Sequence, residues 1–396
     1  MFSKRTDWDT QKNTLAEMID DFQRQEIQFY DLTQSNPTRC NFQYLNSDLL
    51  SSLSDLNNLT YEPSARGIKR VRVAIAEYYR KMHDIQVDPE RIFLTSGTSE
   101  AYSYLFKLLL NPGETILTFK PSYPLLDLLC DLHDTKQCVS RIALSAERWK
   151  LDYDQISLLL SQNHCKAIVL INPNNPTGSF STLDTAKHLS DLASQYSSCI
   201  ISDEVFLDYQ MTSEKTKPYS FASNPEALTF TLSGVSKILG LPQMKLSWIV
   251  VSGPESLVDS ACDRLEIVSD TYLSVGTPVQ NALKNWMVNI QAIQSEIKNR
   301  IKSNLKILKN AANSQNRIKI IDSEGGWVSV ILIKGILDDL RFCEELLRKK
   351  KALIHPGYLY DFDAEGFFVI SLLPEHQVFE SGITNLIQLL EETSKY

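Results

Sequence analysis

Lys237 sits in LSGVSKILGLPQMKLSW, among Ser, Gly and Val and just before a Gly-Leu-Pro turn. A solvated ammonium gains nothing from such neighbours. A shielded amine that gives up its proton becomes a nucleophile able to form an imine with an aldehyde. Other residues with chemical potential stand at the ends of short apolar runs. RIFL leads into Thr95-Ser96-Gly97-Thr98-Ser99, where hydroxyls and backbone N–H groups at a helix start can cradle an anion. The same residues also serve as ordinary helix caps. TILTFKP is followed by Ser122-Tyr123-Pro124, which offers an aromatic face or plain rim filling. IVLI ends in Asn172-Pro173-Asn174-Asn175-Pro176-Thr177-Gly178, more amide than a turn requires. CIIS runs into Asp203-Glu204, and a carboxylate buried there needs a cationic or donor partner.

The elements that must position these residues follow from hydrophobic periodicity. RIFLTSG, ETILTFKP, KAIVLINP, CIISDEVF, ALTFTLSG and LSWIVVSG read as strands, and helical patterns over 98–110 and 182–197 stand between them. Continuous apolar strands alternating with helices predict an α/β fold with a mostly parallel sheet covered on both faces. Ligands of such sheets bind at the carboxyl ends of the strands, where the residues above lie. Beyond about 275 the pattern changes to one long helical stretch from VQNALKNW to LKNAA, then RIKIID, GGWVSVILI, DDLRFCEELLRKK, ALIHPG and GFFVISLL. That order predicts a smaller α+β domain. The expected division is a large ligand-binding domain over 46–280 and a small domain over 281–396, with residues 1–45 packing on the small one.

Composition narrows the class. The chain has 396 residues, 43% hydrophobic, with 40 basic against 48 acidic residues and a net charge of −8 that is spread along the sequence. That argues against a nucleic-acid surface. No apolar run approaches the roughly 18 residues of a membrane span. MFSKRTDWDTQKNTLAEMIDDFQ is charged and lacks the apolar core of a signal peptide. The cysteines at 40, 130, 138, 165, 199, 262 and 343 are odd in number and widely spaced, with no CxxC, so reduced thiols and no metal site are expected. A soluble, cytoplasmic protein is the expectation.

An anion cradle, an aromatic face, an amide, a buried carboxylate and a shielded lysine describe one ligand: flat, phosphorylated, cationic at a ring nitrogen and carrying an aldehyde. Pyridoxal 5′-phosphate has all of these features. NPNNPTG, then SDEVF, SGVSK and GLPQMKL, in that order, resemble the class I/II aminotransferases of fold type I, with similarity from DLTQSNPTR to GFFVISLL. The resemblance implies transamination between an amino acid and a 2-oxo acid. It makes Lys237 the Schiff-base lysine, Asp203 the partner of the pyridine nitrogen, Asn175 the donor to the ring's phenolic oxygen and Tyr123 the stacking aromatic. Lys237, Asp203 and Tyr123 are thereby the expected catalytic residues. Ser96, Gly97 and Thr98 are implied as phosphate binders, with Ser233, Ser236, Phe206 and Lys245 also against the cofactor. Tyr61, in YEPSARG, resembles a tyrosine that reaches the neighbouring subunit's phosphate, which implies a homodimer with shared sites.

Three positions depart from the family pattern. Phe206 stands where a tyrosine is usual and cannot donate to the phenolic oxygen, which should raise the pKa of the lysine–cofactor imine. Lys245 replaces an arginine and supplies charge without a planar fork. Val369, in FVISL, replaces the arginine that grips the substrate carboxylate. Arg39 in SNPTR is the expected substitute, with Asn36 and Asn175 alongside and Arg66 as runner-up. His355 in IHPGY is expected to be structural, because Lys237 already supplies a base. Lyase or decarboxylase chemistry on the same scaffold, and a catalytically silent binding or regulatory module, are the alternatives.

Overall fold

A computed structural model describes residues 1–44, 47–145, 148–211 and 218–393. Its centre is a seven-stranded sheet in the order Ile92–Thr95, Ser247–Ser252, Thr229–Gly234, Cys199–Asp203, Ala167–Ile171, Thr115–Lys120, Lys136–Arg141. Five of these strands are parallel neighbours, and Ser247–Ser252 runs antiparallel to both strands flanking it. All six strand segments expected from periodicity are present.

The alternation of strand side chains explains the two covered faces. Ile116, Val169, Ile201, Phe230 and Ile249 point to one side, against Ala101, Leu105 and Leu129 of the helices Thr98–Leu109 and Leu125–Leu132. Leu117, Ile168, Leu170 and Ile200 point to the other, against Ile156, Leu160, Leu189 and Ala193 of the helices Tyr153–Asn163 and Leu183–Gln195. Both faces are dry, so the strands read as unbroken apolar runs rather than as alternating ones.

A second, four-stranded antiparallel sheet has the order Ile318–Ile321, Val328–Ile333, Phe367–Ser371, His355–Pro356. The helices Ile290–Ser314, Asp339–Lys350 and His376–Thr393 belong to the same part of the chain. The N-terminal segment joins it: Tyr30 and Asp31 pair in parallel with Ala352 and Leu353. The single long helix expected after residue 275 is instead two, Thr277–Val288 and Ile290–Ser314. Asn289 separates them; its amide turns back to Trp286 while its carbonyl receives the amide of Ile293. An asparagine adopts that half-helical position readily, and apolar periodicity alone does not register it. The expected boundary at 280/281 falls inside the first of these helices, and the one at 45/46 lies outside the described residues.

The two sheets meet through polar contacts near the carboxyl ends of the large sheet. The buried Lys120 ammonium pairs with Asp127 at 2.7 Å and with Asp361 at 2.8 Å. Arg141 reaches Asp363 at 2.9 Å and the Asp361 carbonyl at 2.6 Å. The Glu324 and Gly325 amides both donate to the Gly178 carbonyl.

Phe230 is fully buried in the strand Thr229–Gly234, an interior strand of the large sheet. Replacing it with alanine removes a packed ring from a core that relaxes only partly, so chemical denaturation of Phe230→Ala is expected to show a loss of roughly 3–5 kcal/mol.

Candidate active site

Lys237 lies in a four-residue helix, Val235–Ile238, that follows the strand Thr229–Gly234. The chain leaves the sheet at Gly234 and re-enters at Ser247, directly opposite in register. The Val235 amide closes this excursion on the Leu246 carbonyl at 3.0 Å. A side chain on Gly234 would meet the Ser247 hydroxyl at 2.2 Å, so the closure admits only glycine there. Burial lowers the Lys237 pKa, and the Asp203 charge opposes that fall.

Asp203 ends the neighbouring strand and is 8% exposed. Burial pushes its carboxyl up to about 6, against the lowering effects of the Val205 amide (3.2 Å), the Tyr102 hydroxyl (3.4 Å) and the Lys237 charge. Glu204 points elsewhere, into the Ser202 and Ser220 hydroxyls and the Phe221 amide, at 3.0, 2.6 and 2.8 Å. Burial raises it to about 7. The two adjacent acids therefore divide the work: Glu204 has three donors within the protein, while Asp203 faces Lys237 with fewer.

The NPNNPTG loop shows the same division. Asn172 is used to hold the loop, accepting from the Ser181 amide and donating to the Tyr219 carbonyl. Asn174 accepts from the Thr177 amide and hydroxyl. Asn175 alone keeps a buried side-chain oxygen without a partner. At Gly178, φ is +71°, and an added Cβ would overlap the Ser323 hydroxyl and approach the Gly325 carbonyl at 2.5 Å. The loop is therefore clamped from the small-sheet side.

The helix Thr98–Leu109 starts at Gly97 without any side-chain cap. The Ser96 amide is met at 2.6 Å by the Glu100 carboxylate, so an anionic oxygen already rests on this terminus. Tyr123 is 45% exposed, and its hydroxyl pKa is raised by burial and by the Asp203 charge. Two rings flank the lysine: Phe206 and Trp327 have centroids 5.4 and 5.2 Å from Nζ. Ser233 is buried with its hydroxyl unpartnered, and Ser236 is partly buried beside Lys237. Lys245 is exposed, in left-handed backbone next to the closing residue Leu246.

Other expected residues lie apart. Tyr61 is 68% exposed. Arg66 is committed to Glu266 and the Glu90 carbonyl, which removes it as a carboxylate grip. Asn36 caps its own turn through Thr38. Arg39 is exposed on a segment whose Leu32 and Gln34 carbonyls receive Ser371, two residues beyond Val369. Val369 is 1% exposed and packs with Ile321, Val330 and Tyr360. His355 bonds the Tyr360 hydroxyl at 3.0 Å, and burial lowers its pKa against the pull of Asp31.

Tyr102, Tyr209 and Trp327 are the contributors that pattern reading missed. Tyr102 lies one helical turn after Thr98, which was the available signal. Trp327 follows the Gly325-Gly326 pair and is brought in by the chain's second sheet, which no local pattern announces. A cavity of about 370 Å³ between Phe119, Trp149, Phe180 and Asp322 includes neither Lys237 nor Asp203.

A family model for aminotransferase class I and II matches residues 28–380. The chain belongs to this family. It is an aminotransferase by that membership. Among related proteins, glutamate-pyruvate aminotransferase AlaA of Haemophilus influenzae is 24% identical over 377 residues, covering 91% of this chain and 90% of its own. An S-alkyl-thiohydroximate lyase, SUR1 of Arabidopsis thaliana, is 28% identical over 315 residues, covering 75% of this aminotransferase and 66% of its own chain. The fold is shared with the alanine aminotransferase from Pyrococcus furiosus at a TM-score of 0.87 and 21% identity, covering 99% and 100% of the two chains. Among the described residues no helix is long and apolar enough to cross a membrane.

Asp203 gives a pH-dependent prediction. Its folded pKa of about 6 lies above the ordinary 3.8, so the folded state binds the proton more tightly. Its contribution to stability therefore falls as pH rises from about 4 to about 6, and the span corresponds to ~3 kcal/mol. Cofactor-free Asp203→Asn should be more stable than the parent at pH 8 by up to that amount. Denaturation at pH 4 and 8 should show the difference vanishing at the lower pH.

Proposed function

We propose that this aminotransferase holds pyridoxal 5′-phosphate on Lys237 and moves an amino group between an amino acid and a 2-oxo acid. The observation that carries the reading is the pairing of a lysine whose pKa is lowered with a buried carboxylate acting on it, at the carboxyl edge of a parallel sheet. The donor set fits the group. The helix start at Gly97, where the Ser96 amide already holds a carboxylate oxygen, suits an anion such as a phosphate. Asn175, whose buried Oδ1 is unpartnered, brings a side-chain NH2 that can donate to a phenolic oxygen, and Asp203 suits a ring N–H⁺.

When bound, the cofactor supplies a ring that accepts the electrons released at the substrate carbon. The protein's residues do the rest. Asp203 keeps the ring nitrogen protonated, which requires its own ionised form and is favoured once a cation faces it. Lys237 Nζ would be the group that holds the cofactor through its aldehyde carbon, with loss of water, and the free amine would be the base for the proton at the substrate Cα. Ser96, Gly97 and Thr98, with Ser233, Ser236 and Lys245, receive the phosphate; Tyr123 covers one ring face. Phe206 removes one donor from the phenolic oxygen, so the remaining amide of Asn175 acts there alone.

Tyr61 is left exposed on one chain, in keeping with a homodimer in which it serves the neighbouring site. Residues 46–280 would then form the cofactor domain, with 281–396 and the N-terminal segment as its smaller companion. A cytoplasmic location accords with seven free, buried cysteines.

The test is a half-reaction. Protein incubated with pyridoxal 5′-phosphate should turn yellow, and borohydride should fix the cofactor to the Lys237 peptide in a digest. A panel of amino acids should then convert the bound cofactor to its amine form. Ammonia or CO₂ release in place of that conversion would mark lyase chemistry, the reading favoured by Val369 and by the lyase relative. A colourless protein without an adduct overturns both readings.

Arg39 takes the place of the missing arginine in this scheme. Arg39→Leu should raise the KM for the amino donor by roughly tenfold or more, the worth of one charge-assisted contact, with little change in cofactor absorbance. An unchanged KM assigns the carboxylate to another group.

A further inference from the structure

The helix that carries Lys237 has four residues, too few to hold itself in place. Its carbonyls are taken by side chains from two distant parts of the chain. The Tyr209 hydroxyl donates to the Lys237 carbonyl at 2.7 Å, alongside the Gly240 amide at 3.0 Å. Gln294, on the helix Ile290–Ser314, donates its amide to the Ile238 carbonyl at 3.1 Å. The same Gln294 nitrogen also donates to Asp208. Asp208 is fixed in turn by His83 at 2.9 Å and by the Tyr78 hydroxyl at 3.0 Å, both from the helix Lys69–His83. Tyr209, Gln294, Asp208 and Tyr78 are buried and His83 is partly so. None of these side-chain hydrogen bonds among the described residues goes to Asp203, the NPNNPTG loop, Ser96, Gly97 or Thr98.

Resting on the proposed role of Lys237, we infer that Tyr209 and Gln294, with Asp208 behind Gln294, are positioning residues that set where the lysine nitrogen stands. The chemistry asks for such a device. Lys237 must reach the aldehyde carbon and, later, the substrate Cα proton, two positions that differ by little. Displacement of about 1 Å in a reacting group costs up to a hundredfold in rate. A four-residue turn fixed only by its own amides would leave that distance loose. The two donors act at successive carbonyls, 237 and 238, and come from opposite sides in sequence, so they fix the rotation of the turn as well as its height. Tyr209 extends the grip to the small sheet, because its carbonyl receives the Gly326 amide at 2.9 Å and its ring lies 5.1 Å from Trp327. Tightening or loosening of the contact between the sheets therefore reaches Lys237 through one side chain.

Tyr209→Phe and Gln294→Met each remove a donor while keeping volume. Tyr196→Phe is the control: it breaks the bond between the Tyr196 and Ser157 hydroxyls on the helix-covered face of the large sheet, away from the lysine turn. Three quantities are read on the pyridoxal-phosphate-loaded protein and during loading. They are the pH at which the lysine–cofactor absorbance titrates, the rate at which colour develops on mixing, and kcat against KM. The two donor variants should move the titration by about 0.5 pH unit or more and slow both loading and kcat by roughly tenfold, with KM held. Tyr196→Phe should leave all three in place while costing some thermal stability. If the donor variants lose stability as the control does but titrate and load like the parent, the residues are structural only and the inference fails. If the parent itself takes up no cofactor, the reading of Lys237 fails first and carries this one with it.

Discussion

Two opposite charges held away from water at the end of a parallel strand are the constraint on which this molecule turns. Asp203 is ionised only at a cost, and Lys237 likewise, because both are buried by the sheet and its helices. Neither element is arranged this way by packing alone. A strand could end in a solvated residue, and the chain between Gly234 and Ser247 could carry its cation outward. The large sheet buries a continuous apolar core on both faces, and that core is what supports the expense of the polar edge.

Within that edge, polar groups fall into two kinds. Some are spent on structure: Glu204 on three donors, Asn172 and Asn174 on their loop, Asp208 on its histidine and tyrosine. Others are left short, namely Asp203, the Asn175 oxygen and the Ser233 hydroxyl. Buried polar groups are nearly always paired, so the ones left short outline a ligand. Neighbouring residues of the same type take opposite roles, and only the distances tell them apart.

That contrast defines what the sequence disclosed. The strands and their order of use were legible because dry strands are continuous runs of Ile, Val and Leu, and the motif residues sit at their ends. The lysine, the aspartate and the asparagine loop were legible because each is chemically out of place beside its apolar neighbours. The break at Asn289 was not, since both flanking helices keep the same apolar rhythm. Trp327 was not, because its place beside Lys237 comes from a sheet assembled some ninety residues downstream. Tyr209 was not, because no local pattern marks the long-range bond from its hydroxyl to the Lys237 carbonyl. Arg66 illustrates the reverse error: its position in YEPSARG suited a substrate contact, while its guanidinium is already occupied by Glu266.

The closure of the lysine excursion has a further meaning for how this chain can vary. Gly234 and Ser247 face each other in adjacent strands, so the twelve residues between them are a loop whose two ends are pinned to the same rung of the ladder. A residue inserted or deleted there cannot be absorbed by sliding the strands, since that would turn Trp248 and Ile249 inside out. Homologous chains should therefore keep this interval at constant length even where its letters change, and an engineer grafting a new turn would have to match the count before the chemistry.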